Sequence, residues 1–158
     1  MMIEPRVTIR RATEADVESL AVLIRRFYAF NEEFDPAMEA AGDVRDKALE
    51  VARARVAGGD LLLVAVHEGR LVGYVYGSIV ENPLLARRRI GVLKELYVVP
   101  EERGRGIATT LIEEAMKELS KIGVHYIAVE FPTRNIVAQK FYEKLGFRPY
   151  MSVYLREV

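Results

Sequence analysis

Cysteine and tryptophan are both absent from this chain of 158 residues, and histidine occurs only at His67 and His125. Without cysteine there is no disulfide framework, no thiolate nucleophile and no cysteine-based zinc site, and two histidines are too few to build a metal centre. An excess of charge of either sign is also missing, since 23 basic residues stand against 23 acidic ones. That balance gives no electrostatic basis for binding nucleic acid or an anionic membrane surface. No apolar run approaches the roughly 18 residues of a membrane span, and Glu4, Arg6 and Arg10 interrupt the start where a signal peptide would be apolar. What remains reads as one cytoplasmic domain over residues 1–158, long enough to bury about two-thirds of its unfolded surface.

Hydrophobic spacing predicts mixed helix and strand without internal repeats. Val7 to Arg10 reads as a short strand, and Thr13 with Asp16 three residues on forms a capping-box pattern. The helix it opens carries Val17, Leu20, Ala21, Ile24, Phe27 and Tyr28 on one face. After an irregular stretch a second helix is expected from Asp43 to Ala57, stopped by Gly58-Gly59. Leu61 to Val66 and Leu71 to Val80 read as a hairpin turning at Glu68-Gly69-Arg70, and Ile90 to Val99 as a further strand. A third helix presents Ile107, Ala108, Leu111, Ile112, Ala115, Met116, Leu119 and Ile122, and stops at Gly123. Val124 to Phe131 is apolar on both faces apart from His125 and Glu130, the pattern of a buried strand in a parallel pair. Strand, crossover helix and strand in that order put the Ile90 and Val124 strands side by side and parallel, with the helix N-terminus at their carboxyl ends.

The junction between that strand and helix, Leu96-Tyr97-Val98-Val99-Pro100-Glu101-Glu102-Arg103-Gly104-Arg105-Gly106-Ile107-Ala108-Thr109-Thr110, carries most of the functional signal. Proline ends the strand, the glycines allow a tight turn close to a ligand, and the first helical N–H groups then face outward toward an anion. The turn lacks a Gly-Lys-Ser/Thr ending and a Gly-x-Gly-x-x-Gly fingerprint, so nucleoside triphosphates and dinucleotides are not indicated. Taken alone, the two glycines favour the plainer reading, a tight loop before a helix.

Arg103-x-x-Gly106-x-Ala108, placed after Leu-Tyr-Val, resembles the pyrophosphate-binding motif of the GNAT superfamily of acetyl-CoA-dependent N-acyltransferases. A second block, Asn135-Ile136-Val137-Ala138-Gln139-Lys140-Phe141-Tyr142-Glu143-Lys144-Leu145-Gly146-Phe147, resembles that family's Asn-x-x-Ala-x-x-Phe-Tyr-x-x-x-Gly-Phe helix, and Ile9 to Asp16 is similar to its opening. The resemblance implies an α/β fold of mixed α+β type: a central mixed, largely antiparallel sheet of about six strands, four flanking helices and one splayed parallel pair. It also implies acetyl-CoA as cosubstrate, with no metal. The pantetheine arm would bond to the backbone of Leu96, Tyr97 and Val98, and the pyrophosphate would lie over Arg103, Gly104, Arg105, Gly106, Ile107, Ala108 and Thr109, with Asn135 and Tyr142 alongside.

A helix starting near Asn135 places Asn135, Ala138 and Tyr142 on one face. Aminolysis of a thioester releases a thiolate, and a phenol, neutral at pH 7, can supply its proton. Tyr142 matches the family's general-acid tyrosine; the alternative is a half-buried core aromatic. An attacking ammonium must first lose a proton, and Glu130 and Glu95 are the candidate bases, each with an ion pair as the alternative, Glu130 with Arg134 and Glu95 with a neighbouring cation. Tyr28, Glu32 and Glu33, near Phe30 and Phe34, are candidates for the acceptor wall, with solvated loop acids as the alternative. Arg87, Arg88 and Arg89 read as a solvated charge run. The expected activity is acetyl transfer to a primary amine by direct attack in a ternary complex. The acceptor class stays open among small molecules, peptide or protein N-termini and lysines, and a silent acyl-CoA-binding module is the alternative. Phe147 to Glu157 reads as one last strand, with Met151, Val153 and Leu155 alternating with Ser152, Tyr154 and Arg156, and its exposed edge leads us to expect a homodimer.

Overall fold

The computed structural model describes residues 7–158; residues 1–6, and with them Glu4 and Arg6 of the charged start, lie outside the described residues. The order of elements is β1 (Thr8–Arg11), α1 (Val17–Asn31), α2 (Val44–Ala57), β2 (Leu61–His67), β3 (Arg70–Glu81), β4 (Arg89–Val98), α3 (Ile107–Lys121), β5 (Tyr126–Val129) and α4 (Ile136–Lys144). The strands form one sheet in sequential order, antiparallel from β1 to β4, with β5 parallel to β4. This is the expected mixed, largely antiparallel sheet with four helices, built on five strands instead of about six.

Local chemistry accounts for the frame. Glu68 and Gly69 both take positive φ (52° and 75°), the twist a two-residue hairpin turn needs between β2 and β3. Helices cover both faces of the sheet. Phe27 of α1 meets the ring of Tyr74 at 6.5 Å, while a Cβ on the adjacent Gly73 would lie 3.4 Å from Leu111 of α3. Neighbouring strand residues point to opposite faces, so α1 and α3 sandwich β3. That is why Leu61, Leu62, Leu63, Val64 and Ala65 are buried one after another instead of alternating. Among the described residues no helix is long and apolar enough to cross a membrane.

Three expectations need correction. The predicted buried strand from Val124 to Phe131 pairs only over Tyr126–Val129 and forms the sheet edge, with Tyr126 more than half exposed. The predicted strand from Phe147 to Glu157 does not form: residues 148–158 are exposed throughout and carry no regular structure. A strand needs a ladder, and this segment pairs with no described strand; its Pro149 also lacks an N–H. Met116 on α3 and Ile122 just past its end are exposed, while Ile107, Leu111, Ile112, Ala115 and Leu119 fill the core.

The predicted capping box is present, and it is reinforced. The Asp16 carboxylate accepts from the Thr13 N–H at 2.7 Å and from both Arg10 guanidinium nitrogens at 2.7 and 3.0 Å. The Arg10 hydrogen bonds hold this carboxyl below the ordinary carboxylate range. Its contribution is therefore complete above that range and is lost as pH falls through the lowered value. Asp16→Ala is expected to cost about 1 to 2 kcal/mol in chemical denaturation at neutral pH. The penalty should shrink in acid; a penalty independent of pH would contradict this role.

Candidate functional site

β4 and β5 run together only from Ile90 and Tyr126 to Leu93 and Val129. One further bond follows, from the Glu130 N–H to the Leu93 carbonyl (3.1 Å), and the two chains then part. β4 continues five residues to Val98 with β3 as its sole neighbour among the described strands. A bulge marks the parting: Tyr76 faces Glu95 and Gly77 faces Leu93, so Lys94 is an extra residue. Gly77 makes it possible, because a Cβ there would sit 2.5 Å from the Val92 carbonyl. Beyond the bulge the Val99 N–H bonds to the Val72 carbonyl on β3 (2.9 Å), so by alternation Val98 and Leu96 turn their backbone groups away from β3, into the gap, while Tyr97 faces β3. The Val98 carbonyl is accordingly reached by Arg103 Nε at 3.0 Å.

At the mouth of the gap Pro100–Glu102 makes a single tight turn, and Gly104 and Gly106 follow at φ 82° and 78°. Gly106 is the N-cap of α3 and brings no side chain to satisfy the first helical N–H groups, those of Ile107, Ala108 and Thr109. A Cβ at either glycine would meet nothing within 4 Å, so the backbone here faces open space. Bare donors, the positive end of a 15-residue helix and the flanking Arg103 and Arg105 suit a diphosphate.

On the other side of the gap, Phe131 follows β5 and stacks on Tyr142 of α4, ring centroids 5.4 Å apart, while Phe141 and Phe147 contact Tyr142 edge-on at 5.1 and 5.6 Å. Tyr142 is 6% exposed and its hydroxyl has no hydrogen-bond partner among the described residues. Burial pushes the phenol well above its ordinary value, so it holds its proton at neutral pH. The Asn135 side chain caps α4 by accepting from the Ala138 N–H at 3.0 Å.

The sequence model of the Acetyltransferase (GNAT) family matches residues 24–147, well over half of the chain. The chain belongs to the GNAT acetyltransferase family. It is similar to an N-alpha-acetyltransferase of Saccharolobus solfataricus, 33% identical over 57% of this chain and 58% of the relative, and to N-alpha-acetyltransferase 30 of Schizosaccharomyces pombe, 38% identical over 40% of this chain and 43% of the relative. The chain thus spans about half the length of these relatives. In fold it is similar to an aminoglycoside N-acetyltransferase solved with CoA, at TM-score 0.79 and 20% identity over 100% of this chain and 98% of the other.

Of the two glutamates singled out in the GNAT sequence, Glu95 is enclosed. Its carboxylate accepts from Arg55 through both guanidinium nitrogens (2.7 Å each), from the Tyr74 hydroxyl at 2.8 Å and from the Tyr28 hydroxyl at 3.3 Å. Arg55 in turn lies over the Tyr76 ring, 3.7 Å from its centroid. Glu130 stands where β4 and β5 part and is exposed; its expected partner Arg134 reaches the Phe34 carbonyl instead, at 3.4 Å. On the acceptor side Tyr28 is tied to Glu95, the Glu32 carboxylate accepts from the Ala40 N–H at 2.6 Å, and Glu33 is exposed. Arg103 spans this side as well, 5.6 Å from the Phe30 ring centroid and 5.7 Å from that of Tyr97. Arg89 serves the fold at the far end of β4, capping α3 through the Ile122 carbonyl at 2.7 Å.

Sequence reading missed Arg55, Tyr74 and the buried pair of His67 with Glu102. One signal was available, a lone charge in an apolar strand, at Glu95 and at His67, since such a group needs a partner. Gly106→Val tests the cradle: it forces a β-branched residue into positive φ and a side chain into the open face. The expected outcome is loss of CoA affinity by more than tenfold in equilibrium binding, with a folded circular-dichroism spectrum. Retained affinity would place the anion site elsewhere.

Proposed function

We propose that this protein transfers the acetyl group of acetyl-CoA to a primary amine, most immediately the α-amine of a peptide. The observation that carries the reading is the parting of β4 from β5 directly beside the bare N-terminus of α3. A gap with free backbone groups suits an amide-bearing arm, and the adjoining cradle suits a diphosphate. The peptide α-amine rests on the names of the two sequence relatives; the aminoglycoside named for the structural neighbour supplies the competing acceptor class.

The chain's own groups fill the roles the reaction needs. Glu130, exposed at the fork, takes the proton of the incoming ammonium, directly or through water, whereas Glu95 is committed to four donors. The free amine forms the new C–N bond, and the Val98 N–H, turned into the gap, receives the negative charge on the carbonyl oxygen. As the C–S bond breaks, Tyr142 gives its proton to the sulfur, and the nitrogen sheds its surplus proton to solvent, which returns one to the phenol. Leu96, Val98 and residues 103–109 hold the cosubstrate, Asn135 supports the Tyr142 helix, and Tyr28, Glu32 and Glu33 belong to the acceptor wall.

Oligomeric state is part of the same proposal. The exposed apolar run of Tyr150, Met151, Val153, Tyr154 and Leu155 and the open edge of β5 lie on the same chain, so a second copy satisfies both. Light scattering at micromolar concentration is expected to give a dimer that deletion of residues 150–158 converts to a monomer; a monomeric full chain would refute the contact.

Tyr142→Phe is expected to lower kcat about a hundredfold with little change in acetyl-CoA affinity. Thiol release measured over a panel of peptides, lysine derivatives, polyamines and aminoglycosides supplies the rates. Glu130→Gln should lower kcat most steeply below neutral pH, whereas Glu95→Ala should cost about 3 to 5 kcal/mol of stability by stranding Arg55. Acetyl-CoA binding without thiol release on any acceptor would leave a silent acyl-CoA-binding module; full activity of Tyr142→Phe would remove the phenol from the mechanism.

A further inference from the structure

Beneath the cradle lies a charge of the wrong sign for an anion site. Glu102, one residue before Arg103, is 6% exposed, and its neighbour His67, at the end of β2, is 5% exposed. His67 Nδ1 stands 2.9 Å from Glu102 Oε1, so the ring donates to the carboxylate there. Among the described residues the second oxygen, Oε2, is buried without a hydrogen-bond partner, and Arg105 Nη1 forms an ion pair with it at 3.4 Å. Among the described residues His67 Nε2 is likewise buried without a partner, so adding a proton to it breaks no bond seen there.

Among the described residues the charged groups around the imidazole are few. Glu102 and Arg105 come from the turn after β4, Arg70 faces His67 across the β2–β3 ladder, and Glu68 is next in the chain. α3, packed on the same sheet, buries only apolar residues, and β1 begins opposite Val66, with Thr8. The hydrogen bond from His67, with the Arg105 and Arg70 charges beside it, holds the Glu102 carboxyl below its ordinary value, so it is ionised at neutral pH. Arg105 is mostly exposed and belongs to the turn that would receive the diphosphate. A diphosphate therefore competes with Glu102 for Arg105. Once Arg105 turns outward, the buried carboxylate faces an incoming anion with His67 as its nearest source of positive charge.

We propose that the His67–Glu102 pair is a proton-linked counter-charge of the cradle, His67 taking up a proton when a diphosphate binds over residues 103–109. The inference rests on the acetyl-CoA reading above and adds a positioning role for two residues that touch neither reacting atom. It fits the chemistry of histidine, the side chain whose charge changes between about pH 5 and 8. Binding that takes up a proton weakens as pH rises through that range, by at most about tenfold per unit for one proton. The 3′-phosphate of CoA, with a second ionisation near pH 6, works in the opposite sense, because its dianion is favoured as pH rises.

The probe is therefore 3′-dephospho-CoA, whose only phosphates are those of the diphosphate. Calorimetric titration at pH 7 in two buffers of unlike ionisation enthalpy is expected to show net uptake of a proton, and affinity should fall severalfold from pH 6 to pH 8. His67→Gln and Glu102→Gln should each abolish the uptake and flatten the pH profile. Binding of dephospho-CoA by the unaltered protein without proton uptake would overturn the proposal, whether or not the variants fold; so would undiminished uptake in a folded His67→Gln. If neither dephospho-CoA nor acetyl-CoA binds, the acetyl-CoA reading itself fails, which is a different result.

Discussion

The structure depends on one strand keeping one neighbour while losing the other. β4 stays bonded to β3 as far as Val98 but leaves β5 after Leu93, and the extra residue Lys94 lies at that point. A bulge twists the strand and breaks the alternation of its backbone groups, which lets the two parallel strands separate without tearing the antiparallel ladder. Unpaired backbone groups inside a sheet are costly unless something bonds them. Here the Val98 carbonyl takes Arg103, from the very turn that forms the cradle. Gap and cradle are thus one feature, joined through the four residues from Val99 to Glu102 and fixed from below by His67.

A strand pulled from one side needs an anchor on the other, and Glu95 provides it. Its carboxylate gathers Arg55 from α2, Tyr28 from α1 and Tyr74 from β3 onto β4 within three residues of Val98. Burial raises the Tyr74 phenol well above its ordinary value, with the Glu95 charge adding to it, so the hydroxyl remains a donor to the carboxylate at all physiological pH. The whole network is satisfied, which is the condition under which a buried ion pair stiffens a structure instead of weakening it. A carboxylate held by four donors is poorly suited to moving a proton. Glu130, in contrast, stands at the fork with solvent access.

Much of this was legible because it is local. The spacing of Val17, Leu20, Ala21 and Ile24, the capping box at Thr13 and Asp16, the hairpin at Glu68-Gly69 and the glycines of the cradle each act within a few residues, and each appears where the pattern placed it. What failed was long-range. An apolar run such as Val124 to Phe131 gives the same signal at the middle of a sheet and at its edge, and only the presence or absence of a second neighbour distinguishes them. The partners of Glu95 and Glu102 lie 40 and 35 residues away in Arg55 and His67, beyond any periodicity. A single charge in an apolar strand announces that a partner exists without naming it.

The central claim is that the backbone of β4 beyond the bulge receives the cosubstrate's arm while the first amides of α3 receive its diphosphate. Amide hydrogen exchange, resolved by residue with and without acetyl-CoA, tests this directly. The account predicts new protection at Val98 and at Ile107, Ala108 and Thr109, with Tyr97 unchanged because its N–H already faces β3. Saturating acetyl-CoA that leaves Val98 exchange unaltered, or that protects Tyr97 in its place, would contradict it.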